Sequence, residues 1–131
     1  MEDELAKEVD SIIRGSWELR EGQVIPESQD LTLSNSGVKI QATILYADLA
    51  DSTELALYSQ EIAAEVCKSY LLGITRIIRA CDGQIRSFDG DRVMGVFIGN
   101  HKNTNAAKAA LKIKYFSLTF FNLSFSRSIR I

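Results

Sequence analysis

The sequence has little of what secreted, zinc-binding or nucleic-acid-binding proteins need. Its 131 residues include two cysteines, one proline and one histidine, and the formal net charge is −2. Two cysteines, Cys67 and Cys81, fit a reducing compartment as free thiols, and the single His101 excludes a zinc site built on histidines. The near-neutral charge lacks the basic footprint of a nucleic-acid or membrane-surface binder. No apolar run could span a bilayer, and the acidic start MEDELAKEVD is unlike a signal peptide, so we expect a cytoplasmic protein.

What is present is the composition of one folded domain. Hydrophobic residues make up 46% of the chain and charged residues 24%, which excludes a disordered protein. Apolar periodicity and turn residues predict an α/β fold with a mixed or antiparallel sheet, in the order helix, strand, helix, hairpin, helix. The predicted helices cover residues 1–14, 53–81 and 103–114, and the predicted strands cover 38–47, 84–88 and 92–98.

Two of the predicted strands carry further expectations. The strand at 38–47 ends in a continuous apolar run, so we expect a central strand that is buried on both faces. The strands at 84–88 and 92–98 are separated by Asp89-Gly90, a pair that favours a hairpin whose two central turn residues both have positive φ.

The stretch ILYADLADST, residues 44–53, runs an apolar strand directly into two carboxylates, Asp48 and Asp51. A third carboxylate, Asp91, lies at the predicted hairpin, and it meets Asp48 if the hairpin pairs with the first strand. Two carboxylates held close together repel each other unless a cation lies between them. Backbone N–H groups at the start of the following helix suit a phosphate. These residues therefore predict a site for a metal-bound polyphosphate.

A purely structural interpretation stays open for each acid. Asp51 or Ser52 can serve as a helix N-cap. Asp89 and Asp91 can both be turn residues, and for Asp89 we favour that role.

The same residues resemble the class III nucleotide cyclases. ILYADLADST resembles their first strand and phosphate loop, of the pattern F-x-D-[IL]-x-x-[ST]-T, and GQIRSFDGDRVMGVFIG resembles their following hairpin. The resemblance covers about residues 38–115. Within the family, WELREGQVIPESQDL, YADLADST, DGDRVM and IGNHKNTNAAKAALKIKY are most similar to the pyrimidine cyclases of Pycsar anti-phage systems. The resemblance implies that the whole domain is a ferredoxin-like α+β sandwich and that this chain holds its first half.

The resemblance also implies roles for individual residues. Asp48 and Asp91 match the catalytic aspartates that bind two divalent ions, Mn²⁺ or Mg²⁺, and the backbone carbonyl of Leu49 matches a further metal ligand. The substrate-binding positions that it implies are Tyr46, Ala50, Asp51, Ser52, Thr53, Arg86 and Arg92. Two alternatives stay open, because Tyr46 can be a core residue with a local hydrogen bond and Arg92 can be a solvated strand residue.

The chain departs from the family pattern in three places. The family's base-reading Lys is replaced by Arg86, and RSFDGD is one residue longer than the usual K-T-x-G-D. The second half of the domain, which supplies the transition-state Asn and Arg, is missing. Residues 116–131 hold four of the six phenylalanines and no acid, and we interpret this tail as frame-shifted or truncated coding sequence. We therefore expect this chain to be nearly inactive, although its full-length parent is a cyclase.

Three functional hypotheses follow. The first is a homodimeric cyclase that converts UTP or CTP to cyclic UMP or cyclic CMP, a messenger that activates a cyclic-nucleotide-sensing effector in anti-phage defence. The second is an adenylate or guanylate cyclase of the same class. The third is a nucleotide-binding module without catalytic activity.

The predicted organisation is an N-terminal helix and lead-in at 1–37, a partial catalytic domain at 38–115 and the atypical tail at 116–131.

Overall fold

The computed structural model describes residues 1–32 and 34–128, with side chains as far as Phe120. The chain forms two compact units, of which the first is Met1–Gln41 and the second begins at Ala42. The sequence analysis placed the start of the catalytic domain at Val38, and the functional extent of that domain stays a prediction.

The first unit contains the predicted N-terminal helix and a small parallel sheet. Helix α1 spans Glu2–Arg14, and the N–H of Gly15 donates to the carbonyl of Ser11 at its end. Strands β1 (Glu18–Glu21) and β2 (Ser36–Lys39) pair in parallel. Among the described residues of this unit only Ile25 is a buried hydrophobic, so its structure depends more on backbone pairing than on a core.

The second unit is a three-stranded antiparallel sheet packed against helices. Strand β3 spans Ala42–Ala47, β4 spans Gln84–Asp89 and β5 spans Arg92–Ile98, in the sheet order β3-β5-β4. The helices are α2 (Ser52–Tyr58), α3 (Gln60–Ala80) and α4 (Lys102–Ser128). The prediction of an α/β fold is therefore confirmed.

The core of this unit lies between one face of the sheet and helices α3 and α4. Burial follows the 3.6-residue period along α3, and in β5 Val93, Gly95 and Phe97 are buried at every second position, with Val96 buried between them. The fully buried side chains at its centre are Ile74, Ile78, Val93 and Phe97. Tyr46 and Ile44 of β3 lie on the opposite face and are exposed.

The strand predicted over 38–47 is wrong in its continuity and in its place. It divides at Ile40 and Gln41 into β2 and β3, which belong to different sheets. Strand β3 lies at an edge of the described sheet, and the central strand is β5. The apolar run of β3 is explained by one buried face, because Ala47 and Leu45 contact the core while Ile44 is exposed.

The long helix predicted over 53–81 is interrupted. Ser59 has extended backbone angles, φ −155° and ψ 119°, and separates α2 from α3. Its hydroxyl accepts a hydrogen bond from the N–H of Ile62, which satisfies one of the free donors at the start of α3. Apolar periodicity on its own does not reveal such a break, because a serine that caps a second helix leaves the spacing of the apolar residues unchanged.

The predicted hairpin is confirmed, but its turn lies one residue later than expected. Asp89 pairs with Arg92, so the two turn residues are Gly90 and Asp91. Gly90 has a φ of 61°, whereas Asp91 and Asp89 are not among the residues with positive φ. Glycine at the first turn position is typical of a type II′ turn. Asp89 is therefore the last residue of β4 and not, as we favoured, a turn residue.

The tail begins inside the last helix. Helix α4 continues the predicted helix at 103–114 through Tyr115 and as far as Ser128. The ring of Phe116 lies against Gly73 of α3, where any Cβ would collide with it. The interpretation of residues 116–131 as altered coding sequence stays a prediction, and residues 129–131 lie outside the described part of the chain. None of the helices in the described part has the length and apolar character that a membrane span requires.

Candidate active site

Asp48 is held at the end of β3 by buried neighbours on both sides. Ala47 and Leu49 are each 7% exposed and belong to the core, which fixes the backbone at this point. The Asp48 side chain between them is half exposed. The apolar run therefore anchors the strand, and the carboxylate that follows it faces outward.

Strand pairing places Asp91 at the same end of the sheet as Asp48. Antiparallel pairing of β3 with β5 sets Ala47 opposite Val93, so the residues just after β3 and just before β5 lie at the same end of the sheet. Asp48 and Asp91 line one open cleft of about 530 Å³. The structure thus brings together the two acids that the sequence analysis expected to meet, and their catalytic role stays a prediction.

One oxygen of Asp91 lacks a partner. Its Oδ2 atom is buried and accepts no hydrogen bond, which is uncommon for a carboxylate because an uncompensated buried charge is costly. A cation would satisfy this oxygen. Among the described residues no group of three or more histidine, cysteine or acidic side chains is placed to hold a metal ion. Two carboxylates fit the way Mg²⁺ binds, with one or two carboxylates, waters and substrate phosphates as ligands.

The predicted phosphate loop borders the same cleft. Leu49, Ala50, Asp51, Ser52 and Thr53 all line it. Asp51 adopts the left-handed conformation, with a φ of 59°, and takes the N-cap position of α2 without a side-chain capping hydrogen bond. The N-cap interpretation thus holds for its position but not for its carboxylate, which is exposed beside the cleft.

Arg92 is bound to Asp48. Its Nη2 and Nε atoms donate to the Oδ2 atom of Asp48 over 3.1 and 3.3 Å. This hydrogen bond and the charge of Asp48 raise the pKa of the Arg92 guanidinium. Desolvation opposes the rise, and the charges of Asp89 and Asp91 add smaller increases. Arg92 is therefore not a purely solvated strand residue, because two of its three guanidinium nitrogens donate to Asp48.

A second cleft of about 460 Å³ adjoins the first at Asp48. It lies on the sheet face opposite the helices and is lined by Tyr46, Asp48, Ser87, Asp89 and Arg92. Tyr46 is 59% exposed, so the alternative of a core tyrosine is wrong. It lines a cleft that adjoins the first at Asp48, just before the phosphate loop.

Arg86 stands apart from the other predicted substrate-binding residues. Ile85 pairs with Gly95 and Ser87 pairs with Met94, which leaves Arg86 as the extra residue of a β-bulge. The bulge accommodates the additional residue noted in RSFDGD. Arg86 is not among the residues that line the two clefts, and its predicted role in base recognition stays a prediction.

The sequence analysis missed two residues of α3 that lie beneath the acids. Tyr70 is 3% exposed, and burial, followed by the charges of Asp48 and Asp91, raises the pKa of its hydroxyl to about 12. Burial and then Asp91 raise the pKa of the Cys67 thiol. From sequence, Cys67 is expected only as a free thiol, and Tyr70 simply falls within the predicted helix at 53–81. A signal was present, because a tyrosine on an otherwise aliphatic face places a polar group where a polar neighbour is needed.

The chain is similar in sequence to three known proteins. No protein-family model matches the chain. It is 46% identical over 117 residues to a uridylate cyclase of Xanthomonas perforans. It is 42% identical over 114 residues to a uridylate cyclase of Rhodovulum sp. (strain MB263), and 43% identical over 114 residues to one of Burkholderia cepacia.

The three matches cover 88%, 86% and 85% of this chain but only 51%, 48% and 50% of the respective relatives. The chain therefore spans about half the length of the curated relatives it matches. Over most of its own length this chain is therefore similar to uridylate cyclases, as the motifs predicted.

Proposed function

We propose that the protein represented by this chain is a pyrimidine nucleotide cyclase, which converts UTP, or alternatively CTP, to its 3′,5′-cyclic monophosphate and pyrophosphate. The observation that carries the proposal is the identity of 42–46% to three uridylate cyclases. The geometry supports it, since Asp48 and Asp91 border one cleft together with the loop Ala50–Thr53.

In this proposal the first cleft holds the triphosphate. Asp48, Asp91 and the carbonyl of Leu49 bind two divalent ions, Mn²⁺ or Mg²⁺, and the N–H groups of residues 50–53 hold phosphate oxygens. The unpaired Oδ2 atom of Asp91 supports this assignment, because a cation would compensate its buried charge. When bound, the ions would neutralise the polyphosphate and activate the ribose 3′-hydroxyl.

The second cleft then holds the nucleoside. It adjoins the first at Asp48, so a nucleotide whose phosphates lie beside Asp91 extends towards Tyr46. The exposed Tyr46 ring offers a flat apolar surface to a pyrimidine base. Arg86 stays a proposed base-recognition residue, although its place at the bulge requires it to reach in from outside both clefts.

The reaction forms one P–O bond and breaks another. The 3′-hydroxyl gives its proton to solvent water, its oxygen bonds to the α-phosphorus, and the bond from that phosphorus to the oxygen that bridges it to the β-phosphorus breaks as pyrophosphate leaves. Charge stabilisation carries most of the rate in such transfers, and an arginine that supplies it can contribute about 10³-fold or more. We place the transition-state residues in the half of the protein that this chain does not span.

We further propose the setting implied by the Pycsar resemblance. The enzyme acts as a homodimer in the cytoplasm, and its cyclic nucleotide activates a separate effector in defence against phage. The similarity to uridylate cyclases supports the chemistry of this proposal, and the infection response itself rests on the motifs alone.

The test is product formation by a completed enzyme. The chain is fused to the unmatched half of the Xanthomonas perforans relative and incubated with each of the four NTPs and Mn²⁺, and products are identified by mass spectrometry. We expect cyclic UMP or cyclic CMP, with loss of product in Asp48→Ala and Asp91→Ala. Glu65→Ala, which removes an exposed acid of α3, is the matched control and keeps full activity.

The unfused chain is assayed in parallel. We expect Mn²⁺-dependent UTP binding with little turnover, because the transition-state residues are absent from it. A fused enzyme that makes only cyclic AMP or cyclic GMP would favour the purine cyclase hypothesis. A fused enzyme that binds UTP and forms no cyclic product would favour a non-catalytic nucleotide-binding module.

A further inference from the structure

The ion pair between Arg92 and Asp48 joins the two clefts. Two of the three guanidinium nitrogens, Nη2 and Nε, donate to the same acceptor, Oδ2 of Asp48. The pairing of β3 with β5 brings the two side chains together across the end of the sheet. The contact is therefore set by strand register and not by a chance rotamer of two long side chains.

Arg92 is the counter-charge for several acids. Among the described residues that line the two clefts it is the one basic side chain, whereas Asp48, Asp51, Asp89, Asp91 and Glu54 are all acidic. Asp48, Asp89 and Asp91 each act electrostatically on Arg92. Without a positive charge at this point the acids would repel one another, so Arg92 stabilises the cluster.

The pair is also weak enough to exchange. The side chains of Arg92 and Asp48 are 48% and 50% exposed, and ion pairs exposed to this extent contribute little net stability because water and salt screen them. A divalent ion bound at Asp48 would lie within a few ångströms of the guanidinium and would repel it. Although Arg92 is bonded only to Oδ2 of Asp48, the guanidinium and a divalent ion therefore compete for the negative charge of this one carboxylate.

We propose that Arg92 and a divalent ion exchange at Asp48, and that the released guanidinium then donates to an oxygen of the nucleotide in the cleft beside Tyr46. This inference rests on the proposed function. In this scheme Arg92 holds Asp48 in place before the ion binds and contacts the nucleotide afterwards. Ion binding and nucleotide binding are thereby coupled through one side chain.

The first test measures Mn²⁺ affinity without nucleotide. The intact chain is titrated at low ionic strength, and free Mn²⁺ is followed by electron paramagnetic resonance. Arg92→Gln should bind Mn²⁺ about fivefold to tenfold more tightly, because a competing positive charge is gone. Arg92→Lys keeps that charge and should stay close to the parent chain. Arg76→Gln, which removes an exposed arginine of α3, should change the affinity less than twofold.

The second test measures the nucleotide step at saturating Mn²⁺, with α,β-methylene-UTP as the non-reacting probe. Arg92→Gln should bind this analogue about tenfold more weakly, opposite in sign to its effect on Mn²⁺. A merely structural role for Arg92 would not move the two affinities in opposite directions. Circular dichroism of each variant reports whether its fold is intact.

The outcomes separate the inference from the proposed function. If the parent chain binds Mn²⁺ and Asp91→Asn abolishes binding, but Arg92→Gln binds it no more tightly, the exchange is wrong and the site stands. If Arg92→Gln binds α,β-methylene-UTP as tightly as the parent chain does, the proposed contact between the released guanidinium and the nucleotide is wrong. If the parent chain binds no Mn²⁺ at all, both the exchange and the proposed metal site are wrong.

Discussion

At the scale of single residues, the two acids of the cleft differ in their partners. Asp48 accepts two hydrogen bonds from Arg92, whereas the Oδ2 atom of Asp91 is buried without any. An unpaired buried charge destabilises a fold, and such costs persist where function requires them. Asp91 is thus the acid of the cleft with a buried oxygen that no hydrogen bond from the described residues satisfies.

This difference predicts opposite effects of Asp91→Asn on stability and on metal binding. We expect the variant to unfold at a higher temperature than the parent chain in the absence of divalent ions, with a gain of about 1 kcal/mol in the free energy of unfolding. Mn²⁺ should raise the melting temperature of the parent chain but not that of Asp91→Asn. Asp48→Asn, which loses the Arg92 pair instead, is the control and should gain no stability. A destabilised Asp91→Asn would contradict this account.

Tyr70 predicts a pH dependence at the alkaline end. Its pKa is raised to about 12 by burial first and by Asp48 and Asp91 second, compared with about 10 in an unfolded chain. A raised pKa contributes stability that is fully present below pH 10 and is lost as the pH rises towards 12, by about 2 kcal/mol. We expect the free energy of unfolding, measured with a denaturant from pH 8 to 11, to fall as the pH rises. The fall per pH unit should be smaller in Tyr70→Phe. An equal fall per pH unit in the parent chain and in Tyr70→Phe would rule out a buried neutral phenol at Tyr70.

At the scale of elements, β5 and α3 are in close contact at a glycine. A Cβ at Gly95 would lie 2.9 Å from Cγ2 and 3.2 Å from Cδ1 of Ile78, which is fully buried. Gly95 also pairs with Leu45 of β3. The approach of the helix to the central strand therefore depends on the absence of a side chain at this position.

We expect Gly95→Ala to destabilise the protein by about 1–3 kcal/mol, as overpacking of a filled core does. The double variant Gly95→Ala with Ile78→Ala should lose less than the sum of the two single losses, because the colliding methyl group is removed. Urea unfolding of the four proteins measures the coupling. Additive losses would show that the strain at Gly95 is relieved elsewhere.

At the scale of the whole molecule, the buried core is unevenly divided. Apart from Ile25, all the buried hydrophobic residues that the structure describes belong to the unit that begins at Ala42. Segments with few buried apolar contacts open at low free energy. The unit Met1–Gln41 is therefore the less stable part of the chain.

Native-state hydrogen exchange should show this division. We expect the amides of α1, β1 and β2 to exchange much faster than those of β5 and the middle of α3, by about a hundredfold or more. Mn²⁺ and UTP should slow exchange in the residues just after β3 and in the turn between β4 and β5, where Asp48 and Asp91 lie. Equal protection in α1 and β5 would show that the first unit is stabilised by contacts other than a core of its own.

The sequence by itself determined much of this protein. Periodicity and turn residues located α1, the β4–β5 hairpin and the start of α4, because side-chain alternation and glycine turns are local properties. The apolar run into Asp48 and the Gly90-Asp91 pair marked the acids of the cleft, because an apolar run that leads directly into a carboxylate places that charge at the border of the core. The same stretches carried the resemblance that the relatives confirm.

The tertiary structure decided what depends on neighbours distant in the chain. The edge position of β3 and the exposure of Tyr46 follow from sheet order, which no local pattern encodes. The pair between Arg92 and Asp48 follows from strand register, since the two residues are 44 positions apart. The bulge at Arg86, the burial of Tyr70 beneath the acids and the unpaired oxygen of Asp91 likewise arise only when strands and helices meet. Sequence located the charges, and packing determined which of them are paired.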